Sequence, residues 1–280
     1  MSAELEAIKV ASSQGQRAVH RKAWAIVWPK LMAIGIILIV WEAVFLSGWK
    51  PPYLFASPLD TFAELGRTVA EGRFWLAMGT TLLRGVLGFL IALVIGTVLG
   101  IVLSQSKLLR SSFGSLISGL LTMPSIVWFP FAILIFGLTQ EAIFFVIVIG
   151  AAPSIANGII AGVDDIPPQL LRAGHMIGLR GWNRYRHLVL PAIMPSYVAG
   201  LAQGWAFAWR GLMAGELLVV IPGLPSLGSD LYNAGQIGSS AELLGLMIVI
   251  LLIGMLASAV FSGLAKRVRA SRGLTGFSAA

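Results

Sequence analysis

The chain of 280 residues is 57% hydrophobic and only 11% charged, with a mean hydropathy of +0.87. An average globular chain carries about a quarter charged residues, so this composition excludes a soluble domain and indicates an integral membrane protein. The absence of cysteine excludes disulfides, thiolate metal sites and iron–sulfur clusters. The histidines (His20, His175 and His187) are scattered, so no metal site is expected. No phosphate-binding loop of the Gly-x4-Gly-Lys-Ser/Thr kind occurs, and no paired carboxylates or Ser/His/Asp set converge; no catalytic residues are assigned. The net charge of +8 is not read as a nucleic-acid signal, because in a membrane protein the placement of the cations carries the information.

A lipid-spanning helix needs about 20 mostly apolar residues. Six such stretches are read, over 26–48, 79–103, 113–136, 141–162, 189–221 and 241–264. The expected fold is an all-α integral membrane protein with six transmembrane helices in one domain, 26–264, between tails at 1–25 and 265–280. The polar leader of the first tail and the length of the first apolar run argue for a retained signal anchor. Lys9, Arg17, Arg21, Lys22 and Lys30 lie before or at the start of span one. Lys107 and Arg110 follow span two, Arg172, Arg180, Arg184 and Arg186 follow span four, and Lys266, Arg267, Arg269 and Arg272 follow span six. With six spans these fifteen cations share one side. The other side holds Lys50, Arg67 and Arg73, offset by Asp60, Glu64 and Glu71. The asymmetry places both termini in the cytoplasm.

After span one, Ser57-Pro58-Leu59-Asp60 reads as a turn into a short amphipathic helix on the outer surface, with Leu59, Phe62, Leu65 and Val69 at near-helical spacing. Glu42 and Arg84, toward the outer ends of spans one and two, can pair with each other or snorkel. Pro124 and Pro130 interrupt span three, and Glu141 lies at the edge of span four.

The segment 164–187 is too structured for a plain connector. Asp164-Asp165-Ile166-Pro167-Pro168 reads as a helix start, and Leu170, Leu171, Gly174 and Ile177 share one face. Gly178 ends that helix. A second helix starts after Gly181, with Trp182, Tyr185 and Val189 as its apolar stripe, and enters span five through Leu190-Pro191. The segment reads as a docking knob for a soluble partner or as an interfacial helix on lipid headgroups.

Within span five, Arg210 and Glu216 are six residues apart, about 240° around a helix, so an intrahelical pair is not expected. Each is expected to face another helix, a water-filled cavity or a second copy of the chain. Trp205 and Trp209 lie near Arg210 and are candidates for the same path. The small-residue pairs Gly96/Gly100, Gly158/Gly162 and Gly200/Gly204 indicate close helix packing.

Arg172-Ala173-Gly174-x3-Gly178, followed nine residues later by Leu188-x-Leu190-Pro191, resembles the Glu-Ala-Ala loop of ABC-importer permeases, with Arg172 where that motif has Glu and Gly174 where it has Ala. Ser57-Pro58 with Thr80–Phe89, Met123-Pro124-Ser125 with Trp128-Phe129-Pro130, and Trp209–Leu217 with Pro222-Gly223-Leu224 resemble the nitrate, sulfonate, taurine and bicarbonate branch.

The resemblance implies a type I importer-like permease subunit whose coupling helix, in 164–187, docks a separate ATPase. Arg172, Ala173, Gly174, His175, Gly178, Leu188, Leu190 and Pro191 are then the coupling residues. Arg210, Glu216, Trp205 and Trp209 are substrate-path candidates. No cofactor is expected in this chain; ATP and magnesium belong to the partner ATPase. The implied partners are two ATP-binding-cassette subunits, a second permease copy (most simply a homodimer), an extracytoplasmic solute-binding protein and the lipid bilayer, with no nucleic acid. The implied solute is a small oxyanion. A vitamin-type or pyrimidine solute stays open, as does a self-sufficient secondary transporter or channel.

Overall fold

The computed structural model describes residue 24 and residues 27–270, which are helical with short connections. The expected tails therefore lie largely outside the described residues, and Lys9, Arg17, Arg21, Lys22 and Arg272 fall there. In chain order the helices are α1 (Val27–Leu46), α2 (Pro58–Ala70), α3 (Gly72–Ser104), α4 (Lys107–Thr122), α5 (Phe129–Phe136) and α6 (Gln140–Asp164). Then follow α7 (Pro168–Met176), α8 (Gly181–Arg184), α9 (Leu190–Leu218), α10 (Leu227–Ile237) and α11 (Ser240–Ala270).

Among the described residues, four helices are long and apolar enough to cross a membrane: α1, α3, α6 and α11. A fifth candidate is the bent pair formed by α4 with the 3-10 turn Ser125–Trp128 and α5, which fold back on each other by 102°. The expected straight span over 113–136 is thus two helical pieces. Pro124 sits at the cap of the 3-10 turn and Pro130 in the first turn of α5, where a missing N–H costs nothing. Helix α9 occupies the fifth expected span. Its 29 residues suffice for length, but it carries Gln203, Arg210 and Glu216 and is not among the apolar candidates.

The core lies between α3, α6 and α9. Phe129, Ile143, Ile147, Ile155 and Leu212 are fully buried there. Glycines let the backbones meet. A Cβ on Gly96 would lie 2.6 Å from the Ala152 carbonyl oxygen, and one on Gly158 would lie 2.8 Å from the Gly200 Cα. The glycine pairs read from the sequence therefore serve packing within one chain.

Helix α2 starts as the sequence indicates. Ser57 caps it by accepting from the Asp60 N–H at 3.0 Å. Its buried face differs from the expected one. Thr61 is fully buried, whereas Leu59 is 78% exposed. The reason is α11, which packs along the Thr61–Leu65 side. On the other side Phe62 meets Trp41 of α1 at 6.5 Å, and Trp41 donates to the Ala56 carbonyl at 3.0 Å.

Gly158→Val places a branched side chain against the backbone of Gly200 and Ser196, which cannot swing aside. Overpacking of this kind costs about 1–3 kcal/mol or more. The expected result is a clear drop in the thermal midpoint of the detergent-solubilised protein, with no change for Gly263→Ala, which meets open space.

Candidate functional site

A carboxylate is buried where α3, α9 and α10 meet. Glu216, on α9, is fully inaccessible. Its Oε1 accepts from Arg84 Nη1 at 3.1 Å and its Oε2 accepts from the Thr81 hydroxyl at 2.8 Å, both from α3. The Gly228 N–H, in the first turn of α10, donates to Oε2 at 3.1 Å, and the Leu227 N–H donates to the Thr81 oxygen at 2.9 Å. A negative charge thus satisfies a helix N-terminus whose own capping box is built from Ser226 and Ser229. Gly228 is required for the approach, because a Cβ there would collide with the Glu216 side chain.

This geometry answers two expectations. Arg84 does not pair with Glu42; it pairs with Glu216 in the buried bridge, while Glu42 lines a groove between α1 and α2. Burial leaves Arg84 one accessible anion, and that anion lies on α9. Glu216 faces another helix, one of the alternatives read from the sequence, and it is separated from the other three substrate-path candidates. Glu141 is exposed in the first turn of α6.

Arg210, Trp205 and Trp209 come together further back along α9, about two to three turns before Glu216. They line an open cavity of about 810 Å³ between α9 and α11, with Met213, Met247 and Met255. The two indoles stack at 6.2 Å, and the Trp205 Nε1 is buried without a hydrogen-bond partner among the described residues. Arg210 is exposed. Its Nε donates to the Ala206 carbonyl at 3.1 Å and its guanidinium lies 5.1 Å over the Phe207 ring, which fixes the cation in place. Among the described residues no group of His, Asp or Glu side chains is arranged to hold a metal ion.

The segment between α6 and α9 forms a compact knob. Asp164 stands before α7, which begins at Pro168 with the proline in its first turn as the sequence indicates. This aspartate ends α6 and pairs with Arg110, which also donates to the Ser104 carbonyl at 2.6 Å. Leu171 and Gly174 face inward, Gly174 tightly against Leu188, beside Ile159, Ile166 and Ile193. Leu170 and Ile177, expected on the same face, are 44% and 76% exposed. Gly178 (φ 78°) and Gly181 (φ 52°) turn the chain, in backbone that L side chains rarely adopt. Trp182 is 71% exposed and Tyr185 is also exposed, so of the expected stripe only Val189 is buried. One π-helical turn, Tyr185–Val189, then leads into α9 without a loop. Ala173, Gly174, Leu188 and Pro191 border one groove of about 430 Å³, while Arg172 and His175 point outward and Leu190 is partly exposed.

Residues 92–272 match the model of a protein family described as binding-protein-dependent transport system inner membrane component. The chain belongs to this family. The permease is similar to the nitrate import permease protein NrtB of Leptolyngbya laminosa, with 29% identity over 86% of this chain and 87% of the relative. It is also similar to the bicarbonate transport system permease protein CmpB of Synechococcus elongatus, with 27% identity over 86% and 91%. A solved structure of the MetNI methionine ABC transporter, in an inward-facing conformation, superposes with a TM-score of 0.59 at 21% identity, over 71% of the permease and 99% of that chain. The permease is accordingly a multi-pass, non-catalytic transport subunit of ABC-importer type.

Thr81, Gly228 and the Arg84–Glu216 pairing were not singled out by sequence reasoning. The available signal was Ser226-x-x-Ser229, a cap for α10, placed 10 residues after a Glu in an otherwise apolar stretch.

Removing one partner of a buried ion pair costs about 3–5 kcal/mol. Glu216→Ala should therefore lower the thermal midpoint of the purified protein more than Arg210→Ala, which leaves an exposed site. Adding Arg84→Leu to Glu216→Ala should recover part of the loss, because no cation is then stranded. Equal midpoints for the Glu216→Ala and wild-type proteins contradict this account.

Proposed function

We propose that the permease forms half of the membrane pathway of an ATP-driven importer for a small oxyanion such as nitrate, bicarbonate, taurine or another sulfonate. In this reading the chain has six spans, counting α1, α3, the bent pair as one, α6, α9 and α11, and both termini are cytoplasmic. A second copy completes the pathway. Two ATP-binding-cassette subunits, which hold ATP and magnesium, dock on the knob through Arg172, Ala173, His175 and the turn at Gly178. A solute-binding protein delivers the anion from outside.

The observation that carries the anion reading is Arg210: a positioned cation beside two stacked indoles in an otherwise apolar cavity. The nitrate and bicarbonate permeases among its relatives support the same class of solute. An intramembrane cation is costly, so its retention beside a cavity argues for use. Glu216, closed off from that cavity, is a structural member in this reading.

Proteoliposomes containing the permease, its ATPase and its binding protein test the proposal by uptake of labelled nitrate, bicarbonate and taurine. ATP-dependent uptake of one of these anions is expected. Uptake of a pyrimidine or vitamin-type solute with none of the anions overturns the assignment. Arg210→Gln should reduce anion uptake about tenfold, equivalent to about 1.4 kcal/mol, while ATPase stimulation by the binding protein persists.

Gly178→Val forces a β-branched residue to φ 78°. The chain should still insert, and ATP-coupled uptake should be lost. Unchanged uptake excludes a coupling role for the knob.

A further inference from the structure

The knob carries charge of one sign. From Ile166 through Gly215 the chain contains no Asp or Glu, while Arg172, Arg180, Arg184 and Arg186 all lie in its first part with His175 and His187. All six of these side chains are exposed, and none forms an ion pair among the described residues. The nearest acids are Asp164, already paired with Arg110, and Asp165.

On α7 the two faces are sharply different. Leu171 and Gly174 turn inward onto the protein's own core. The opposite face presents Gln169, Arg172 and Met176, with Met176 82% exposed one helical turn beyond Arg172. An interfacial helix would do the reverse and lay its apolar face into the acyl boundary. Here that face is occupied by Leu188, so the free surface suits a concave protein partner with an apolar seat for Met176 and anions around it.

We propose that Arg172 is a charge key: the ATPase groove that receives this knob presents a carboxylate opposite Arg172, so the permease discriminates against ATPases whose groove offers a cation there. This rests on the docking role proposed above. In the motif that the segment resembles, the first position is Glu, so a groove suited to that Glu is electrostatically wrong for Arg172. Like charges brought together across an interface are strongly unfavourable, and such repulsion is how related interfaces avoid wrong pairing. Arg172 does not hold the fold: it is exposed and pairs with nothing in the described chain, so its replacement tests recognition and not stability.

The test uses the permease co-expressed with its ATP-binding-cassette subunit and purified through a tag on the permease. The ATPase recovered per permease is measured at low salt and at ~0.5 M NaCl, where exposed charge pairs are screened. Arg172→Glu should lower recovery about tenfold or more, and Arg172→Lys should largely retain it. Each acidic residue of the ATPase groove is then changed singly to Lys in the Arg172→Glu background. Recovery restored by one such reversal establishes the key.

Wild-type recovery at low salt with full retention in Arg172→Glu overturns the charge key and leaves docking intact. No recovery of the ATPase by the wild-type permease, from a preparation in which a known importer stays assembled, overturns both. If the Arg172→Glu loss instead follows the anionic lipid content of nanodiscs and no ATPase reversal restores recovery, the surface is a headgroup contact and the proposal fails.

Discussion

The buried carboxylate of Glu216 is the constraint on which the junction of α3, α9 and α10 depends. A charge enclosed by helices is stable only if its lone pairs are filled, and four donors from two other elements converge directly or through Thr81 to fill them. That requirement fixes the rotation of α3, which must turn both Thr81 and Arg84 toward α9. It also fixes where α10 begins, because Gly228 must bring its N–H to Glu216 without a side chain of its own. The short α10 would otherwise be a poor candidate for a stable helix. Its C-terminal end is closed by Gly238 in the left-handed conformation.

The same helix, α9, presents opposite chemistry on its two sides. One side carries a charge that is fully neutralised and packed. The other carries Arg210, held by the Ala206 carbonyl and the Phe207 ring but left open to a cavity. The six-residue offset between the two charged positions separates them around the helix. Arg210 is therefore kept from pairing with Glu216, which is already engaged by Arg84.

Much of the architecture was legible in the sequence because the bilayer imposes one strong rule, a long apolar run for each crossing. The runs for α1, α3, α6 and α11 follow it. The Ser57 cap and the turn at Gly178 were legible because both depend on local backbone chemistry. The 102° fold between α4 and α5 was not, since hydropathy reports composition and not direction; Pro124 and Pro130 only mark where the chain breaks. The partner of Arg84 was not legible either. Glu216 lies 132 residues away, and only the packing of α3 on α9 brings them together. At the knob, periodicity placed Leu170 and Ile177 with Leu171 and Gly174, yet the inward face is narrower. The seat left by α6 and α9 accommodates little more than a glycine beneath Leu188. In α2 the apolar pattern pointed to Leu59, whereas α11 selected Thr61, a residue that a hydropathy stripe overlooks.

The passage from α8 through the π-helical turn into α9 contains no loop, so residues 181–218 form one unbroken helical run about 55 Å long, with Pro195 inside it. Near the middle of that run Gly200 touches Gly158 backbone to backbone. On either side of that contact side chains interlock, Ile193 of α9 over Gly162 and Ile155 of α6 over Gly204. The two helices are therefore keyed against both sliding and rotation, so a displacement of one end of α9 is shared with α6 and, through Glu216 and Gly228, with α10.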